Sequence, residues 1–255
     1  MSAWSTRRQL SFVLVFILIL ILIIVGLIAA NRHVDSCTDN LQNQGELDVD
    51  CGGPCSKVCA LEVSEVKVIW ARVFHTRDTL YDVGIYIENP NPFTLISLPY
   101  HVRIFDKDLV PIKDVDGATF VNAHERLLIV ITNVNLGFRT PQGQPTVTFD
   151  PKLEWERLTG LERLPVLTVL NKRLASSTSG VNLSATVRND SLFEVSDIEA
   201  DAVVYDASGT AVLVSKSKLS SLLPGGTTDV VFTWPKAPAS AAVSADIFVR
   251  TDLTR

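Results

Sequence analysis

The chain opens on a run with no polar face. Residues 10–30 read LSFVLVFILILILIIVGLIAA, without a charge and with Ser11 as the only hydroxyl. A half-buried helix repeats its apolar positions at i, i+3, i+4 and i+7 and keeps a polar stripe; this segment has none. As a helix it would reach about 31 Å at about 1.5 Å per residue, against about 30 Å for the hydrocarbon layer of a bilayer. The run predicts one transmembrane helix over 10–30 behind a short cytoplasmic tail, 1–9. Ile28-Ala29-Ala30 loosely resembles a signal-peptide cleavage site, but the apolar part of a cleaved signal covers only about 7–15 residues. A retained anchor is the better reading. Arg7 and Arg8 precede the run, whereas Arg32 beyond it is followed by Asp35, Asp39, Glu46, Asp48 and Asp50. The positive-inside rule then keeps the N-terminus in the cytoplasm and places the C-terminal part outside, in a single-pass protein of the cell membrane.

After Leu61 the pattern changes to period two. Tyr81, Val83, Ile85 and Ile87 share one face of a strand. Tyr100, Val102 and Ile104 share one face of another, with His101 and Arg103 on the opposite side. Short runs of this kind, separated by turn residues, predict an all-β fold of immunoglobulin-like β-sandwiches. The chain also repeats itself after about 100 residues, the size of one such domain. Asn89 matches Asn189, Phe93 matches Phe193, Leu95 matches Val195, Leu98 matches Ile198, and Phe105-Asp106 matches Tyr205-Asp206. With a slip of one residue, 129–132 matches 230–233. Two tandem sandwiches over 61–160 and 164–255 follow. The short, partly apolar linker at 158–165 suggests that they pack end to end.

Each copy carries an Asn at a strand end, then a turn, then an inward Phe. In Asn89-Pro90-Asn91-Pro92-Phe93 the prolines end the strand by removing ladder donors. The segment 85–106 resembles the WHy domain of late-embryogenesis-abundant proteins, in which N-P-N-P-F links two strands of an immunoglobulin-like sandwich. The second copy, with Asn189-Asp190-Ser191-Leu192-Phe193, Val203-Val204-Tyr205-Asp206 and Leu223-Pro224-Gly225-Gly226, resembles the FxLYD-type bacterial surface domain, also immunoglobulin/fibronectin III-like. It lacks the WHy prolines. Both resemblances imply binding, display or stress roles more than chemistry.

Four cysteines, Cys37, Cys51, Cys55 and Cys59, are confined to residues 37–59, between helix and sandwiches. An even number just outside a membrane predicts two disulfides, in any of three pairings. The 31–60 segment is too short for a core, so the bridges would hold it. It is similar to a bacterial surface motif of the form CxDGxQNxxExxVDCGGxC, through Cys37, Asp39, Gln42, Asn43, Glu46, Val49, Asp50, Cys51, Gly52, Gly53 and Cys55. Asn40 replaces the usual Gly and can also adopt the left-handed conformation. The resemblance implies a surface context. Two metal readings compete with a disulfide spacer. Four thiolates could bind zinc, although the paired knuckle spacing is incomplete. Asp39, Asn43, Glu46, Asp48 and Asp50 offer oxygen ligands for calcium, although their order departs from the EF-hand. A solvated acidic turn is the preferred alternative, and no cofactor is otherwise expected.

Net charge is −5, and about −7 once Arg7 and Arg8 are set aside. That excess does not favour nucleic acid. None of His33, His75, His101 and His124 has a helical metal-ligand partner. No P-loop, Rossmann glycine pattern or G-x-S-x-G occurs. Asp114-Val115-Asp116-Gly117 resembles the start of a calcium loop, but the later ligands are missing, so a β-turn is predicted. The pattern therefore predicts no enzyme. It predicts a membrane-anchored extracytoplasmic display or interaction protein of the cell envelope, with a protein or envelope partner. The alternatives are an accessory subunit of a secretion, pilus or transport machine, and a sandwich that holds a lipid or other small ligand.

Overall fold

A computed structural model describes residues 3–30, 37–43, 45–158, 164–178 and 180–254, with the side chains of 3–10 and 28–30 excepted. Two compact units result, Met1–Pro54 and Cys55–Arg255. Arg32, Asp35, His33 and most of the predicted linker, 159–163, lie outside the described residues.

In the first unit, helix α1 runs from Ala3 to Ala30 and contains the whole apolar run. Its side chains from 11 to 27 are all exposed, Phe12 at 73% and Phe16 at 66% among them. That stretch covers about 26 Å at about 1.5 Å per residue. Among the described residues no helix is long and apolar enough to cross a membrane. The loop after it turns through Asn40 (φ 59°), Asp50 (φ 55°), Gly52 (φ 74°) and Gly53 (φ 55°). A Cβ on Gly53 would collide with the Gly45 carbonyl oxygen, so only glycine fits there.

Among the described residues the second unit is built of thirteen strands. β1 (Lys67–Arg77), β2 (Leu80–Glu88), β3 (Thr94–Phe105), β4 (Pro111–Val121), β5 (Arg126–Asn135), β6 (Thr146–Phe149) and β7 (Trp155–Glu156) come first. β8 (Leu167–Ser177), β9 (Gly180–Asn189), β10 (Val195–Tyr205), β11 (Ala211–Leu222), β12 (Thr227–Trp234) and β13 (Ser244–Arg250) follow. They form four antiparallel sheets: β1-β2-β5, β4-β3-β6 with β7 on β3, β8-β9-β12, and β11-β10-β13. The pairing within the first pair of sheets recurs in the second, as the sequence repeat requires. Each pair encloses a core. Val83, Ile85, Ile87, Leu95, Leu98 and Val102 lie in the first, and Leu183, Val187, Ile198, Ala202, Val204 and Phe232 in the second.

The repeat marker is a bracket for the chain. Asn89 Nδ2 donates to the carbonyls of Phe93 and Asn122, both at 2.8 Å, and its Oδ1 accepts from Asn91 N at 2.9 Å. Asn189 makes the same three bonds to Phe193, Leu222 and Ser191, at the same lengths. Both side chains are almost fully buried. The bracket fixes the turn, and the turn sends Phe93 and Phe193 onto their cores.

A third apolar cluster joins the two sheet pairs. Trp70, Phe74 and Leu128 on the β1-β2-β5 sheet pack against Val203, Val214 and Phe248 on the β11-β10-β13 sheet. The pairs therefore stack face on face, in place of the expected end-to-end packing. These two inner sheets are buried on both sides. Ala200 through Val204 and Leu127 through Val130 are buried without a break, where the outer sheets alternate. A continuous buried run is the mark of such a strand. Gly84 on β2 makes room for the contact: a Cβ there would lie 2.9 Å from Val214 and 3.1 Å from Phe74.

The predicted turn at 114–117 is instead the middle of β4. Asp114 and Asp116 alternate outward and pair across the ladder with Arg103 and His101, at 2.8 and 2.5 Å. Cross-strand charge pairs of this kind favour the extended form. Gly117 lies opposite Tyr100, whose ring occupies the space a Cβ would need. The turns expected at 106 and 206 are present. Asp106 Oδ1 accepts from the amides of Asp108 and Val110, and Asp206 Oδ1 from those of Ser208 and Thr210.

Candidate functional site

All four cysteines are disulfide-bonded, so none is available as a zinc thiolate. The calcium candidates lie in the loop of the first unit, where their side chains hold its backbone. Asp39 Oδ1 accepts from Leu41 N at 2.9 Å and its Oδ2 from Asn43 Nδ2 at 2.9 Å. Both Asp50 oxygens accept from Asn40 N at 3.1 Å. Glu46, buried, reaches Asp50 N at 3.3 Å and Asn43 N at 3.4 Å, and Asp48 takes Val49 N at 2.8 Å. Hard-cation sites need several oxygens converging on one point; here the carboxylates are distributed along the turn as caps.

The described histidines are dispersed. His75 bonds the Asp78 carbonyl at 3.0 Å and stacks edge-on with Tyr81, and His101 sits between Asp114 and Asp116 on an outer strand. His124 has a left-handed backbone (φ 52°) in the β4–β5 turn, as expected of a turn residue.

Among the described residues a dense cluster of charge lies at the seam between the sheet pairs. Arg250 ends β13 opposite Glu199 of β10 and is 6% exposed. Its Nη2 and Nε donate to Glu199 Oε2 at 3.1 and 3.3 Å. From there the guanidinium crosses to the other sheet pair. It donates to Thr119 Oγ1 at 2.6 Å, to the Phe120 carbonyl at 3.0 Å and to Glu125 Oε2 at 3.3 Å. It also lies 3.8 Å from the centroid of the Phe120 ring. The forked donor set of arginine suits such a many-partner contact better than a lysine would.

Beside it is a cavity of about 100 Å³ lined by Tyr100, Glu199, Asp201, Lys216 and Arg250. Asp201 is 6% exposed. Burial pushes its carboxyl up to about 7; Glu199 and Glu125 add to the rise, and Arg250 and Lys216 oppose it. Burial also raises Glu125, against Arg250 and the bonds from Asn122. Burial raises the Tyr100 hydroxyl, helped by Glu199. Perturbed groups in a cavity often mark chemistry. Here every donor of the guanidinium is used, on both sheet pairs, so the arrangement is suited to locking two surfaces together. The sequence carried one sign of it: a carboxylate, Asp201, inside the apolar run Ala200–Tyr205. Arg250, Glu125 and Glu199 left none, because they meet only through tertiary packing.

A wider groove of about 620 Å³ lies between the outer edge of β1, the start of β11 and residues 236–240, with Arg72, His75 and Lys236 on its walls. Arg72 Nη1 donates to the Ala211 carbonyl at 3.4 Å.

No family model and no curated protein matches this chain. Among solved structures, red sea bream transglutaminase aligns at 12% identity with a TM-score of 0.22, over 75% of this chain and 30% of that one. A score that low carries no argument about fold or activity.

Proposed function

We propose that the chain is a membrane-anchored interaction protein of the cell envelope, with its β-rich part outside the cell and no catalytic role. The observation that carries this reading is the uncharged run 10–30. It lies in one unbroken helix, and the apolar side chains from 11 to 27 are uncovered. Exposing that much contiguous hydrocarbon to water is strongly unfavourable, and a bilayer removes the cost. The disulfide state of all four cysteines supports an oxidising compartment beyond the helix. On this reading 61–160 and 164–255 are two immunoglobulin-like domains fused through a shared seam, and they present a rigid double module to a protein or envelope partner.

The test is protease added to intact cells that make the full chain and have an accessible surface. The expected result is digestion beyond about residue 40, with a membrane-retained N-terminal fragment that resists carbonate extraction. A soluble full-length chain, or complete protection in such cells, refutes the topology.

A further inference from the structure

The end of the β unit at which the chain arrives from α1 carries uncovered leucines on separate turns. Residues 56–64 run beside β7 and the first asparagine bracket: Val58 N donates to the Trp155 carbonyl at 3.0 Å, and Ser64 N to Asn91 Oδ1 at 2.7 Å. Leu61, between them, is 96% exposed. In the second bracket Leu192 is 97% exposed, and Leu223, in the turn whose Gly225 and Gly226 bond the backbone of Asn189, is 65% exposed. Val166 joins them, since its N donates to Ser191 Oγ at 2.7 Å and its carbonyl accepts from Asp190 N.

One line of hydrogen bonds places both brackets at the same end. Asn89 bonds the Asn122 carbonyl, Asn122 Nδ2 donates to Thr251 O at 3.1 Å, and Thr251 Oγ1 donates to Ser196 O at 2.9 Å, beside the second bracket. We infer that this end of the β unit docks on a lipid surface through Leu61, Leu192 and Leu223. The inference rests on the anchored reading above, which keeps this end of the unit within a short tether of the bilayer. The turns offer apolar side chains with no packing role, and the matching first-copy positions, Pro92 and Asn122, differ. The basic residues at this end lie against carboxylates: Arg188 pairs with Asp190 at 2.6 Å and Arg126 with Glu88 at 2.8 Å, while Lys67 lies across the ladder from Glu88 and Lys57 across from Glu156. Contact should therefore depend on hydrocarbon and not on anionic headgroups.

The test uses the full chain in phosphatidylcholine liposomes, with Leu192→Trp or Leu223→Trp as reporters and Phe138→Trp, at the opposite end, as control. Brominated lipid should quench the added fluorescence at 192 and 223 beyond the parent protein's loss, leave that at 138 unaffected, and act equally with and without phosphatidylglycerol. Liposome flotation reads the anchor independently. Protein that floats with unquenched reporters overturns the docking and leaves the anchor standing, and protein that does not float overturns both. A dimer in detergent that Leu192→Glu with Leu223→Glu dissolves would assign the surface to a second copy and also overturn lipid docking.

Discussion

Arg250 shows how one side chain can set a relation between two surfaces. It is nearly sealed from water and satisfied by Glu199 on its own side and by Thr119, Phe120 and Glu125 on the other. Arg250→Ala would leave buried carboxylates without their counter-charge, a loss on the order of 3–5 kcal/mol. Chemical denaturation should show that drop, whereas Arg173→Ala, on the exposed part of β8, should leave the midpoint unchanged. Asp201 adds a pH dependence. Its folded value of about 7 lies above the ordinary 3.8, so between those limits the folded state holds more protons than the unfolded one. Stability from this group is full below about pH 4 and is lost as pH rises through 7. Glu125, also raised, acts in the same direction. Asp201→Asn should raise the melting temperature most at pH 8, less at pH 5 and little below about pH 4, and flatten the profile between. A profile that still falls as steeply in the variant would place the titrating group elsewhere.

At the scale of the strand, the two copies differ where stacking requires it. Arg103 and Asp114 face each other across β3 and β4 on an outer surface; Val203 and Val214 occupy the same cross-strand site at the seam. Tyr86 opposite Leu128 lies at the seam, and its counterpart outside is Thr186, hydrogen-bonded to Asp229 at 2.8 Å. Each copy thus has one face made polar and one left apolar, and the stack stops at two. The seam joins unlike sheets of the two copies, so the same contact could repeat indefinitely if the outer faces were apolar. The variant Arg103→Val, Asp114→Val, Thr186→Tyr, Asp229→Leu should form open-ended oligomers by light scattering, and either half of the set alone should stop at dimers. A monomeric quadruple variant would show that these pairs do not control stacking. The alternating strands, the repeat and the Asp turns were legible in the sequence because a half-buried strand writes its environment at period two. The seam was not. Leu127–Ile131 and Ala200–Tyr205 are the continuous apolar runs of doubly buried strands, and their meaning depends on which sheet lies on the second face. Asp114–Gly117 misled for a related reason: turn-forming residues are also cross-strand ion-pair residues, and the partner is decided by register.

The whole molecule divides its stability unevenly. The β unit is held by three apolar clusters, the seam among them. Among the described residues the loop of the first unit has no comparable core: Leu41, Leu47 and Val49 are all about half exposed. What holds it is covalent bridging together with carboxylate caps on backbone amides, as its composition suggested. Disulfides in segments of this kind contribute about 2–4 kcal/mol by restricting the unfolded chain, which is more than the capping bonds, mostly exposed, can replace. Reduction of the full chain should therefore release the loop and spare the sheets. Hydrogen exchange should show lost protection at the amides of Leu47 and Cys51, which bond the Cys51 and Asp48 carbonyls. The amides of β9 and β10, covered on one or both faces by the clusters, should keep theirs. Loss of protection in β10 on reduction would mean that Cys55 and Cys59, which enter the β unit beside Trp155, carry its stability, and the division of labour drawn here would be wrong.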